Sequence, residues 1–319
     1  SEMCIRDRAE YAAQGKAHEA LIKKLLADSD LMIRMAVAGG AKSGQYGRTM
    51  EIYSEIRKAS KKAGDGVLQR LALAVSLEHA VPVKQRNAVA KTDAPATVDP
   101  VQRYLNFEKA YLAGELDPGF KGLSEWDYRM VVKGAEPDEI LAWGREMLRN
   151  YRPDHISTKD YRWRYVALVR SDIRYGSQDN QYDEDELQFF QNILKNGGVC
   201  GRRAFIGRFI LRAFGVPTVA RPQRGHAALA HWTPDGWVVC LGGGWGVGWA
   251  NGPEAVGRGR AADTIFLAQT QARMTGEPYK QVWRAKSIAS ALVPDDASET
   301  GECLARYRQR AVIQDATAK

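Results

Sequence analysis

Cysteine is scarce in this 319-residue chain: there are four, at positions 4, 200, 240 and 303, and no two form a CxxC pair. They are too few and too far apart for a disulfide scaffold or a structural zinc site, so no metal is expected. Long apolar runs are also missing. None approaches the roughly 20 residues that cross a bilayer, so no membrane span is expected, and the opening residues lack the basic-then-apolar pattern of a secretory leader. Polybasic blocks are absent as well. Lys+Arg 46 against Asp+Glu 38 leaves +8 spread along the chain. That excess favours anionic partners by long-range attraction but gives no nucleic-acid footprint. No repeat of fixed period appears, which excludes a solenoid.

What remains is an ordinary globular composition, 45% hydrophobic and 26% charged. The length suits two domains, or one with a large extension. The opening Ser1 to Arg8 reads like translated adapter sequence, so Cys4 is set aside. From Ala17 to His79 apolar residues recur at helical spacing (Leu21, Leu25, Leu26; Ile52, Ile56; Leu68, Leu71, Leu73, Val75). Gly39-Gly40 and Gly64-Asp65-Gly66 break the pattern where turns fall, which predicts an array of helical hairpins. Val81 to Pro100, poor in large apolar residues, reads as an exposed linker. Pro137-Asp138-Glu139 then opens a helix carrying Ile140, Leu141, Trp143, Met147 and Leu148. Further helices are expected over Tyr161 to Ile173 and from the acidic run Asp183 to Glu186 through Leu187, Phe189 and Phe190 toward Leu194. Gly197-Gly198 stops the last of these just before Cys200.

Cys200 begins the most informative stretch. Phe205, Phe209 and Ala213, with Ile206, Ile210 and Phe214, share one helical face. Gly215 and Pro217 then close the helix. A thiol in the first turn of a buried helix meets the positive end of the helix dipole and free amides. The same amides can receive the oxyanion of a tetrahedral intermediate. Thr218 to Arg221, the run from Gly225-His226, and Trp237 to Leu241 are β-prone and separated by turn residues. A helix followed by hairpin-linked strands is an α+β pattern that lets His226, on the central strand, serve as base to a Cys200 nucleophile.

This order of elements resembles the transglutaminase-like superfamily, with its papain-type core. The likeness covers roughly residues 160 to 245. It lies in Gly198-Val199-Cys200, in Leu211-Arg212-Ala213-Phe214-Gly215-Val216-Pro217, in Arg221, Gly225-His226-Ala227 and Gly236-Trp237, and upstream in Val169 to Tyr175. The resemblance implies that Cys200 is the catalytic thiol and His226 its base. It also places a third residue near Cys240 to Gly242, where neither carboxylate nor amide stands. Asp235 and Asn251 are the substitutes within reach of a nearby loop.

The expected architecture is an α-helical region over residues 1–158, a transglutaminase-like α+β domain over 159–292, with helices from about Ala262 to Arg273 and Trp283 to Ala291 packed over the core, and a polar tail over 293–319. The expected function is a cysteine hydrolase or acyltransferase acting on peptide or amide bonds through a thioester. The rival is a degenerate domain of the same fold that binds peptide or polysaccharide. Arg202, Trp232, Trp245 and Trp249 are the candidate substrate contacts, the last two in a glycine-rich loop that lacks the Lys-Ser/Thr of a phosphate loop. Peptide, protein or polysaccharide is the expected partner, and no cofactor is implied. His231, five residues past His226, falls on the opposite face of a continuous strand. Cys240, in an apolar strand, is expected to be inert, although an oxidising compartment would permit a Cys200–Cys240 disulfide. His18, His79 and His155 receive no role.

Overall fold

The computed structural model describes residues 9–90, 94–223 and 225–241, and beyond them only residues 266, 270, 273, 278, 279 and 281. The fold is α+β: mostly helical, with a small three-stranded antiparallel sheet. Four helices form the N-terminal array: α1 (Lys16–Ala27), α2 (Ser29–Val37), α3 (Tyr46–Ala59) and α4 (Gly66–Glu78). After them come α5 (Pro100–Leu112), α6 (Glu125–Val132), α7 (Asp138–Tyr151), α8 (Pro153–Ser157), α9 (Ala167–Ser171), α10 (Phe189–Asn196) and α11 (Cys200–Ala213). The sheet closes the order with β1 (Thr218–Gln223), β2 (His226–Thr233) and β3 (Gly236–Cys240).

Local chemistry fixes the helix starts. Asp28 Oδ1 accepts from Leu31 N at 2.9 Å ahead of α2, Asp99 caps α5 with Pro100 behind it, and Ser124 and Asp127 form a reciprocal capping box on α6. Pro137 and the acids Asp138 and Glu139 open α7. The end of α11 is a Schellman closure: Gly215 N donates to Arg212 O and Val216 N to Leu211 O, with Gly215 at φ +75°. The ring of Phe120 fills the space beside Gly215, where a Cβ would stand 2.5 Å from Phe120 Cδ2.

One buried cluster runs from Tyr11 through the helical array to α11 and the near face of the sheet. Helix α7 reaches α11 directly. Gly144 lets Phe209 approach to where a Cβ would be 2.6 Å from its ring, and Trp143 stacks on Phe209 with centroids 6.4 Å apart. Residues on either side of position 158 therefore share one packing unit. The far face of the sheet carries a second, smaller cluster of Trp126, Val219, Ala228, Ala230, Trp237, Val239 and Phe266.

Three local expectations are refined or corrected. The linker expected over residues 81–100 is exposed at many of its described positions but tied down: Gln85 N donates to Ala96 O, Val98 N to Val83 O and Arg86 N to Ala135 O, with Val98 buried. The helix expected over 161–173 shrinks to α9, since Tyr165 adopts a left-handed φ of +66° that lets its ring stack on Phe214 and its hydroxyl donate to Asp117 Oδ2 at 2.8 Å. The run Asp183–Glu186 precedes α10 as loop. There Asp183 is taken by Arg202, and Glu184 N donates to Asn192 Oδ1. The expected tail and the segment Trp283 to Ala291 lie outside the described residues.

Candidate active site

Cys200 is the first residue of α11 and half-buried. The N-cap residue, Val199, supplies no side-chain hydrogen bond, so the first-turn amides are left to whatever approaches the helix tip. The preceding diglycine threads a tight gap. Gly197 sits at φ +76° with its α-carbon against Arg174 O, and Gly198 N donates to that same carbonyl at 3.0 Å. Gly201 faces the side-chain amide of Gln178, which lies where a Cβ would meet Oε1 at 2.4 Å. Gln178 thus stands beside the helix tip, and neither its residue type nor its spacing marks it out in the sequence.

Arg202, expected to meet substrate, turns inward instead. It is 1% exposed; its Nε donates to Gly197 O at 2.8 Å, and its two terminal nitrogens grip Asp183 at 2.6 and 2.9 Å. This bidentate fork holds the Asp183 carboxyl below its usual range and ties the loop ahead of Cys200 to the helix. Arg203 is buried too, donating to the carbonyls of Val169 and Ile173.

The chain path sets the ends of the sheet against the ends of α11. Strand β1 leaves the C-terminal end of the helix through Gly215 to Pro217, β2 pairs with it antiparallel, and Trp232 N returns to Pro217 O at 2.9 Å. His231 to Thr233 therefore lie at the helix's C-terminal end and His226 toward its cysteine end. Midway, Gly207 meets Leu229, where a Cβ would be 2.7 Å from Leu229 Cδ2. From that contact Cys200 is about 10 Å along the helix, and His226 about 10 Å along the strand.

His226 Nε2 lies 2.7 Å from Leu241 O. A carbonyl only accepts, so Nε2 carries a proton and donates it to that oxygen. Strand alternation works against the pair, however. Leu229 faces α11, whereas Ala228 and Ala230 face the far cluster, and His226 shares their parity. Its ring leaves the strand on the face away from α11, and meeting Cys200 requires it to turn around the strand's end.

The remaining candidates separate. Asp235 is exposed in the β2–β3 turn, at the other end of β2 from His226, about 23 Å along the strand; it is too far to orient that ring. Trp232 is half-buried against Gly119, at the helix end remote from Cys200. Asn251, Trp245 and Trp249 lie outside the described residues. His231 is buried with its two ring nitrogens against Trp232 O and Arg162 O, and burial lowers its pKa. Cys200 and Cys240 are both free thiols. Cys240 is buried, its sulfur 3.5 Å from Arg162 O, and burial pushes its pKa up to about 12. Among the described residues, no group of His, Cys, Asp and Glu is gathered that could hold a metal ion, and no helix is long and apolar enough to cross a membrane.

Compared with protein-family models, curated proteins and solved structures, the chain matches none.

Proposed function

We propose that the chain is a transglutaminase-like cysteine hydrolase or acyltransferase with a papain-type core, acting on peptide or amide bonds through a Cys200 thioester. The observation that carries this reading is a half-exposed thiol at a helix tip whose amides receive no N-cap side chain. In the proposed cycle Nδ1 of His226 takes the thiol proton, and the sulfur attacks the substrate carbonyl carbon. The oxyanion is received by the first-turn amides, with the Gln178 amide beside them. The imidazolium then protonates the departing amine, and water or a second amine attacks the thioester. Leu241 O orients the ring, as a neutral amide oxygen does in papain-like triads. It brings no full negative charge to steady the imidazolium, so proton transfer is slower than with an aspartate.

The second reading, a binding domain without turnover that holds peptide or polysaccharide, is favoured by one observation: the parity of His226 in β2. Thiol labelling separates the two. With iodoacetamide at mildly acidic pH, Cys200 of the native protein is expected to alkylate at least tenfold faster than a free thiol. Cys240 is expected to react only after unfolding. His226→Ala is expected to remove most of the Cys200 advantage. A Cys200 no faster than a free thiol, or one indifferent to His226→Ala, leaves the binding reading.

A further inference from the structure

The turn joining α6 to α7, residues 133–136, gathers cations without a matching number of carboxylates. Arg212, in the last turn of α11, is 8% exposed; it donates to Glu136 Oε1 at 2.9 Å, and its Nε has no partner. Gly134 passes so close that a Cβ would stand 3.1 Å from Arg212 Cδ. Arg208 lies one helical turn earlier on the same side of α11. Among the described residues its guanidinium has no hydrogen bond or ion pair, and it keeps only a distant approach to the Phe205 ring. Lys133 precedes Gly134, and among the described residues its ammonium donates only to Met130 Sδ, at 3.1 Å. Arg86 joins from the neighbouring segment: its backbone N–H donates to Ala135 O at 2.7 Å, and its guanidinium, stacked over the Phe189 ring at 4.0 Å, is within electrostatic reach of Glu136 and Arg208. Arg212 pairs with Glu136, Arg208 and Arg86 lie within reach of that same carboxylate, and Lys133 lies within reach of Arg212; Arg103, which donates to Glu136 O, is matched by Asp138. The nearby Glu78 is already engaged by Arg129 and Lys42.

Cations of like charge, partly withdrawn from water, raise the energy of the folded state unless an anion joins them. Burial and Arg212 push the Lys133 amine down to about 7, with Arg221 and Lys42 acting in the same sense and Glu78 against them. Burial, then Arg212, also pull Arg208 well below its ordinary value. A tetrahedral dianion suits two guanidinium groups and one ammonium better than a single carboxylate does. We propose that Lys133, Arg208 and Arg212 form a binding site for a phosphate-type oxyanion, free or carried as a monoester. This site is separate from Cys200 and does not depend on its chemistry.

Thermal unfolding of the full chain in inorganic phosphate, phenyl phosphate or chloride, at matched ionic strength, tests it. The melting temperature is expected to rise with phosphate and not with chloride. A half-maximal concentration lower for phenyl phosphate points to a carried monoester, and an equal one to the phosphate group alone. In chloride, Arg208→Gln and Lys133→Gln are each expected to melt above the wild type, because each relieves repulsion. Each is also expected to need at least tenfold more phosphate for the same rise. The proposal is overturned by a phosphate response no greater than that of chloride, or by variants that respond as the wild type does. The wild-type comparison stands alone should either variant fail to fold.

Discussion

Removing Asp183 tests how the loop ahead of Cys200 is held. Asp183→Ala takes away both charge-assisted bonds to Arg202 and leaves that guanidinium, 1% exposed, with Gly197 O alone. Breaking a fully buried pair by deleting one partner costs about 3–5 kcal/mol. The Asp183 side chain is 28% exposed, so water can reach the vacated side. The expected loss is therefore about 2–3 kcal/mol, read as a lower urea midpoint with an unchanged slope. Arg202→Met in the same background removes the stranded charge, so the double variant is expected to recover part of that loss. Acid titration gives a second readout. Arg202 holds the Asp183 carboxyl low, so its contribution is present above the unfolded carboxyl's value of about 4 and is lost as pH falls through the lower folded value. Asp183→Ala is expected to lack that segment of the acid curve. A loss under about 1 kcal/mol, or strictly additive single variants, refutes the buried-clamp reasoning.

Two other perturbations probe the frame. Gly215→Ala forces a side chain into φ +75° and a methyl to 2.5 Å from the buried Phe120 ring. The expected cost is about 2–4 kcal/mol from strain and overpacking together, and a neutral result in chemical denaturation contradicts it. His79 is buried with Nε2 3.0 Å from Val132 O, and burial, with Arg103, lowers its pKa to about 4. As pH falls from about 6.5 toward 4 the unfolded chain takes this proton first, so folding weakens by up to about 3 kcal/mol across that window. His79→Gln is expected to flatten that part of the stability–pH curve, and an unchanged slope argues against it.

Legibility from sequence followed how local each cause was. Pro137-Asp138-Glu139 and Gly215-Val216-Pro217 announce a helix start and a helix end through their own backbone preferences, and α7 and α11 begin and end there. The three β-prone runs form the sheet to within about two residues. Causes that act at a distance were not legible. Nothing around Asp183 reveals that Arg202, nineteen positions on, claims its carboxylate and keeps it out of a helix. Tyr165 breaks its expected helix for a hydroxyl bond to Asp117, forty-eight positions back. The thiol's place at a helix tip could be read from Gly197-Gly198 and the apolar stripe behind it. The oxygen that faces His226 could not, because it belongs to the backbone of Leu241 and leaves no mark in residue type. The inward turn of Arg202 was hidden for the same reason as the Asp183 loop.

Phe209 is pressed by Trp143 from α7 and by Phe190 from α10, while Gly207, on the same rod, bears on the strand through Leu229. The rod that presents Cys200 is therefore a shared beam, and cutting the chain near residue 158 would strip one whole flank from it. An isolated C-terminal half would keep Cys200 and His226 in its sequence and lose the buttress that holds the helix carrying that sulfur.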